Sequence, residues 1–213
     1  MKHIRLCFAI VLLSGTLSAH AESGWYVKPY TGYSSLSDTS GDRLDAVSQP
    51  VDVDLSGGFL AGLGVGYQYG NNWAAEIAWE YRSNDSETSY ADGTRFDDGN
   101  YASNIFYLNG YYLFEPRGNW QPYLGAGIGW VQEIDIDLEG LGPEQSFSGD
   151  GDVALQFMGG VHYKFSYRWL INGELRYSRI SGVDLEAEAG AVGSIEDLDY
   201  DPLSISIGLT YRF

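Results

Sequence analysis

Asp201-Pro202-Leu203-Ser204-Ile205-Ser206-Ile207-Gly208-Leu209-Thr210-Tyr211-Arg212-Phe213 closes the sequence. From the terminus backwards, Phe213, Tyr211, Leu209, Ile207, Ile205 and Leu203 take every second place, and Arg212, Thr210, Gly208, Ser206 and Ser204 fill the gaps. A period of two is the signature of a strand with one apolar and one polar face. The apolar face runs unbroken and ends in aromatic residues, as expected of a tilted strand that needs about 9–11 residues to cross a bilayer.

The start of the chain carries a different signal. Lys2, His3 and Arg5 precede an apolar run from Leu6 to Leu17 and then Ala19-His20-Ala21. This pattern reads as a secretory signal peptide, residues 1–21, cut after Ala21; the apolar run is too short for a spanning helix. Cys7, the single cysteine, lies inside this leader, so the exported part has neither a disulfide nor a cysteine for lipid attachment. Loss of Lys2 and Arg5 takes the formal charge from -17 to -19 (10 Lys and Arg against 29 Asp and Glu), which makes nucleic acid an unsuitable partner.

From Gly24 onward the sequence divides into eight alternating segments: 25–33, 59–69, 73–82, 102–114, 120–131, 153–165, 168–180 and 203–213. Connectors after the second, fourth and sixth are tight, and those after the first, third, fifth and seventh are long, roughly 20 residues each, beyond the usual loop range. Short turns on one side and long loops on the other predict an all-β fold, an eight-stranded antiparallel up-and-down transmembrane β-barrel over residues 22–213. The long loops then face outward from the cell.

Parity assigns the faces. Trp25, Phe59, Leu63, Val65, Trp73, Ile77, Trp79, Leu108, Trp120, Ile128, Trp130, Phe157, Trp169 and Leu175 fall on one side, together with all six tryptophans. That side is expected to meet lipid, with Trp and Tyr gathered near the strand ends as interfacial girdles. Lys28, Glu76, Glu80, Arg82, His162, Lys164, Glu174, Arg176 and Arg212 fall on the other. A charge facing lipid at the midplane costs about 2–4 kcal/mol, so these residues belong inside. Lys28, Glu76, Glu80, Glu174, Arg176 and Arg212 are expected to form a paired interior network, because opposite signs are available and unpaired charges there are costly. Gly62, Gly64, Gly66, Gly125, Gly127 and Gly129 share that face. They lack the spacing of a nucleotide-binding loop and instead leave room for inward tyrosines such as Tyr26, Tyr30, Tyr107, Tyr111 and Tyr123.

The segments Gly24-Trp25-Tyr26-Val27, Gly62-Leu63-Gly64-Val65-Gly66-Tyr67, Pro122 to Gly129 and Gly208 to Phe213 resemble the outer-membrane β-barrel family that includes the membrane domain of OmpA and the OmpX-type barrels. Similarity to the OmpW family comes second, through the ending Leu198 to Phe213. The resemblance implies that Phe213, with Tyr211 on the same face, is the signal read by the barrel-assembly machinery. It specifies architecture rather than chemistry.

Of the 29 acidic residues, 24 lie in the four long connectors (5, 5, 7 and 7 in order). Surface repulsion and solubility explain them most simply; divalent cations bridging them to lipopolysaccharide are the functional alternative. Asp135-x-Asp137-x-Glu139-Gly140 imitates the start of a calcium loop, but the twelfth position is Ser146 and no helix flanks it; a strand extension above the membrane fits better. His162, the sole histidine after the leader, points inward and has no serine beside it, which argues against a serine hydrolase. Arg179 interrupts the outward pattern near the outer end of the seventh segment, where it is a candidate contact to a lipopolysaccharide phosphate or a snorkelling arginine. No cofactor is expected.

The sequence thus predicts a non-catalytic integral outer-membrane protein in contact with membrane lipid and lipopolysaccharide, with a structural or surface-interaction role. Two alternatives stand beside it: a narrow channel or carrier for small apolar molecules, and an adhesin acting through the acidic loops. A lateral opening or an apolar lumen would favour the channel.

Overall fold

The structure, a computed structural model, describes residues 23–36, 39–44, 49–90, 95–96, 98–139, 145–188 and 191–213. The expected signal peptide lies outside them. Twelve strand segments appear in chain order: β1 Gly24–Ser35, β2 Thr39–Leu44, β3 Gln49–Gln68, β4 Trp73–Tyr90, β5 Arg95–Phe96, β6 Asp98–Leu113, β7 Trp120–Glu139, β8 Gln145–Gly149, β9 Val153–Lys164, β10 Trp169–Ala187, β11 Ser194–Tyr200 and β12 Leu203–Arg212.

Register reduces these to a closed ring of eight strands. β1 and β2 pair with β3 in one continuous register, from Gly24↔Gln68 through Ser35↔Gly57 to Thr39↔Val53. β8 and β9 continue one another along β7, and β11 and β12 along β1 and β2. Every pairing is antiparallel, and β1 pairs with β12, which closes the ring.

The long connectors are where expectation and structure part. The stretches set aside as four loops of roughly 20 residues are largely strand: β3, β4, β7 and β10 run well past the predicted ends, and β2, β5, β8 and β11 lie wholly within the former loops. The barrel therefore stands above the membrane as a second storey. Period-two alternation is weaker there, because the faces change roles: within lipid the outside must be apolar, whereas above it the outside meets water and the inside becomes the dry side.

Three adjacent strands achieve that change by inserting one residue at the same level. Along β7 the even-numbered residues Leu124, Ile128 and Trp130 are exposed, yet Ile134, Ile136 and Leu138 are fully buried. The ladder to β6 steps from Ile105↔Val131 to Asn104↔Glu133, so Gln132 is the extra residue. On the neighbouring strand Phe157, Leu155 and Val153 face out and Phe147 faces in, with Gly151 at φ +84° between them. On β10 Leu175 and Tyr177 face out and Val183 and Leu185 face in, with Gly182 at φ +67°. A β-bulge admits an extra residue, and at Gly151 and Gly182 it does so through a left-handed backbone position that glycine takes without strain.

Below that level the predicted faces hold. Trp25, Phe59, Ile77, Leu108, Trp120, Phe157, Leu175 and Ile207 are all exposed. Along the turn-side rim, ring contacts link Trp25 to Tyr67, Trp73 to Tyr112, Trp120 to Tyr163 and Trp169 to Tyr211, an interfacial girdle.

Candidate functional site

The interior has three layers. Nearest the short turns, Tyr26, Ala74, Tyr111, Leu113, Tyr123 and Met158 form an apolar cluster. Glycine makes room for the inward tyrosines of all three layers: a Cβ on Gly66 would collide with the Tyr26 ring and one on Gly125 with Tyr111 here, one on Gly62 with Tyr30 in the middle and one on Gly129 with Tyr107 above. The recess beside Lys28, His162 and Arg212 has a volume of about 20 Å³, room for about one water.

Across the middle lies a charged floor. Lys28 Nζ is 3.0 Å from Glu76 Oε2 and 4.0 Å from Glu174 Oε2. Glu174 also accepts from Arg176 Nε at 3.1 Å and from the Tyr123 hydroxyl at 2.9 Å. Arg176 reaches on to Glu80, which accepts from the Tyr30 hydroxyl at 3.0 Å and pairs with Arg82. Glu76 accepts from the Tyr111 hydroxyl at 3.0 Å. Three cations and three anions, none more than 4% exposed, thus neutralise one another across the lumen.

Five of the six residues expected in an interior network sit in this floor. Arg212 does not: it lies half-buried at the turn-side rim, lining the recess. Arg82 takes the sixth place. It shares the inward parity, but it stands at the end of its predicted segment, where sequence gives no hint that the strand continues and buries it. Arg179 is exposed, donates to Ser181 Oγ at 3.0 Å and stands 3.7 Å from Asp199 and 3.9 Å from Asp201. His162 stacks against the Tyr123 ring at 4.5 Å.

Above the floor the interior turns apolar. Tyr101, Ile105, Val131, Ile134, Ile136, Leu138, Phe147, Ile180, Val183, Leu185, Ile195, Leu198 and Tyr200 are each at most 1% exposed and form one cluster. Of its polar exceptions, the hydroxyls of Tyr200 and Ser103 lie 2.8 Å apart, whereas that of Tyr101 has no hydrogen-bond partner among the described residues and packs edge-on to the Tyr200 ring. Sequence parity missed this layer, because without the bulges Ile134, Ile136, Leu138, Phe147, Val183 and Leu185 would point outward.

The wall around the apolar layer has a seam. β10 pairs with β9 from Leu170↔Lys164 to Arg179↔Leu155 and with β8 at Glu186↔Ser148 and Ala187↔Phe147. Between Arg179 and Glu186 no ladder pair joins it to that neighbour. Ile180, Val183 and Ala154, all part of the apolar cluster, lie directly behind. Outside, a groove of about 530 Å³ runs over this level, lined by Gln132, Glu133, Asp150, Asp184, Glu186 and Glu188, among others. Burial, then Glu133, Asp137 and Glu188, push the Asp135 carboxyl up to about 6 from 3.8. Burial, then Asp184 and Asp150, raise that of Asp152.

A ring of eight antiparallel strands is also the fold of solved outer-membrane barrels. The family described as the outer membrane protein beta-barrel domain matches residues 6–213. The chain belongs to that family. Outer membrane protein W of Vibrio cholerae is 24% identical over 215 residues, covering 98% of this chain and 97% of its own. Outer membrane protein AlkL of Ectopseudomonas oleovorans is 24% identical over 177 residues, covering 76% and 74%. Among solved structures, the outer membrane protein OprG of Pseudomonas aeruginosa superposes with a TM-score of 0.66 at 18% identity, over 91% of this chain and 98% of that one. Like other members of the outer membrane protein β-barrel family, the chain is an outer-membrane protein; the OmpW-type likeness, legible in the sequence only at its end, extends over nearly the whole length.

Proposed function

We propose that this barrel lets small apolar molecules pass from outside the cell into the outer membrane, entering the upper storey and leaving sideways through the seam between β9 and β10. The observation that carries this is the apolar storey itself, closed beneath by the charged floor and bordered by a stretch between Arg179 and Glu186 where no ladder pair joins β10 to β8 or β9. A hydrophobic solute gains nothing by entering a layer of six paired charges, so its cheapest route out of the apolar layer is through the wall. The OmpW and AlkL relatives fit this reading better than the structural or surface-interaction role expected from sequence. No catalytic step is part of it.

The test uses refolded protein in vesicles. Uptake of a medium-chain alkane faster than in protein-free vesicles, with no ionic conductance in a planar bilayer, is the expected result. Conductance without apolar uptake would make the barrel an ion path through the floor instead. The surface-interaction reading keeps one observation in its favour: Glu133, Asp150, Asp184, Glu186 and Glu188 share one outward face. In the same proposal Phe213 and Tyr211 serve as the assembly signal, the leader is removed after Ala21, and Arg179 meets lipopolysaccharide phosphate only by exchanging Asp199 and Asp201 for it.

A further inference from the structure

The charged floor is a chain with two ends. Glu76, Lys28, Glu174, Arg176, Glu80 and Arg82 alternate in sign, each pairing with the next. At the lower end Glu76 also accepts from the Tyr111 hydroxyl. At the upper end Arg82 shares Glu80 with Arg176, and its Nη2 donates to Ser178 Oγ at 3.2 Å. The guanidinium is fully buried, yet among the described residues its Nε and Nη1 have no acceptor. The Tyr107 and Tyr200 hydroxyls stand near enough to feel its charge, but neither closes a hydrogen bond to Nε or Nη1.

Arg82 is also the foot of a polar track. With Asn84, Ser86 and Thr88 it takes alternate places on β4, and all four side chains are buried. Among the described residues, Ser86 Oγ and Thr88 Oγ1 have no hydrogen-bond partner, and neither have the hydroxyls of Tyr101 and Tyr107 on β6, the next strand. The register carries this track onto the apolar wall: Arg82 pairs with Ser103 and Ser103 with Ile134, Asn84 with Tyr101 and Tyr101 with Ile136. The upper storey is therefore two-sided, polar along β4 and apolar from β7 round to β11, with a cation at the base of the polar side. Buried polar groups nearly always have partners, and those without one mark a place for a ligand, an ion or water.

We infer that Arg82 receives the head of an amphipathic acid, a medium-chain carboxylate that accepts from the free N–H groups while its alkyl tail lies against Ile134, Ile136 and Ile180. A guanidinium carries five N–H donors, and its bonds to a carboxylate are charge-assisted and among the strong ones. A head descending β4 would exchange hydrogen bonds with Thr88 and Ser86 and stop where the positive charge is. Water would satisfy the hydroxyls but leave Arg82 with only its share of Glu80, and an alkane would leave all of these groups as they are. This names a solute class for the upper storey and rests on the reading that small apolar molecules enter it.

The test uses a chain starting at residue 22, refolded in lipid nanodiscs with nitrogen-15 arginine, and follows the side-chain N–H resonances as decanoate, 1-decanol or acetate is added. The Arg82 signal is the one absent from Arg82→Lys, whose folding is verified by heat-modifiable gel mobility; Arg82→Gln serves if that variant does not fold. The expected result is a saturable shift of this signal by decanoate at a concentration about 10-fold below that needed with 1-decanol or acetate, the order that one charge-assisted bond supplies. Magnetisation should also pass to the same N–H from decanoate labelled with carbon-13 at its carboxyl, which a purely structural arginine would not allow. No shift with decanoate, or one that 1-decanol or acetate matches, overturns the inference. Alkane uptake by the same wild-type preparation in vesicles separates the two claims: uptake without a decanoate shift leaves the route and removes the acid as its solute, and loss of both removes the route as well.

Discussion

Arg176 is fully buried between Glu174 and Glu80 and receives the face of Tyr30, with its guanidinium carbon 4.7 Å from the ring centroid. Replacing it by Met leaves two carboxylates facing one remaining arginine, and breaking one partner out of a buried pair costs about 3–5 kcal/mol. Arg176→Met should lower stability by that order in urea unfolding from lipid vesicles, and adding Glu80→Gln should recover part of the loss. A loss under about 1 kcal/mol, the range of an exposed ion pair, would mean that the floor is wet. Parity and charge balance made this layer legible from sequence: inward Lys28, Glu76, Glu80, Glu174 and Arg176 had few other places to go. Arg82 was not, because its burial depends on how far its strand runs, which is set by neighbours in space.

At the level of elements, the bulge row at Gln132, Gly151 and Gly182 decides which way six large apolar side chains point. Gly182→Val puts a branched side chain at φ +67° and should cost about 1–2 kcal/mol of local stability. The upper amides of β10 and β11 should then exchange hydrogen faster while the lipid-embedded amides keep their protection. A second prediction concerns pH. The folded-state pKa of Asp135, about 6, lies above its ordinary value of 3.8, so folding favours its protonated form. Its contribution to stability is therefore fully present below about 4 and lost as the pH rises through 6. Amides of the β7–β8 hairpin, corrected for intrinsic exchange rates, should be better protected at pH 5 than at pH 7.5; the reverse order would contradict the burial assigned to Asp135. The bulges were not legible in the sequence. Gly151 and Gly182 look like ordinary loop glycines, and each strand keeps its apolar parity across the boundary while only the backbone turns over.

Taken whole, the molecule is two barrels on one axis, inside-out relative to each other. The lower one wears its apolar side outward for lipid; the upper one hides it from water. The lower barrel was readable because strand period, tight turns and terminal aromatics all agree, whereas the upper one was hidden behind acidic sequence that resembles loop. Tryptophan depth tests the boundary: lipids brominated along the acyl chain should quench the fluorescence, and a water-borne quencher should have little effect, because all six indoles lie on the lipid face. Strong aqueous quenching would mean that the strands sit higher in the membrane than their girdles imply.

The seam as a route for apolar molecules is tested most directly by bridging Val153→Cys to Ser181→Cys with a short bifunctional thiol reagent and measuring alkane uptake into vesicles before and after reduction of the bridge. The structure predicts that the bridged barrel loses its uptake and regains it on reduction. Uptake that survives the bridge undiminished would contradict passage through the wall.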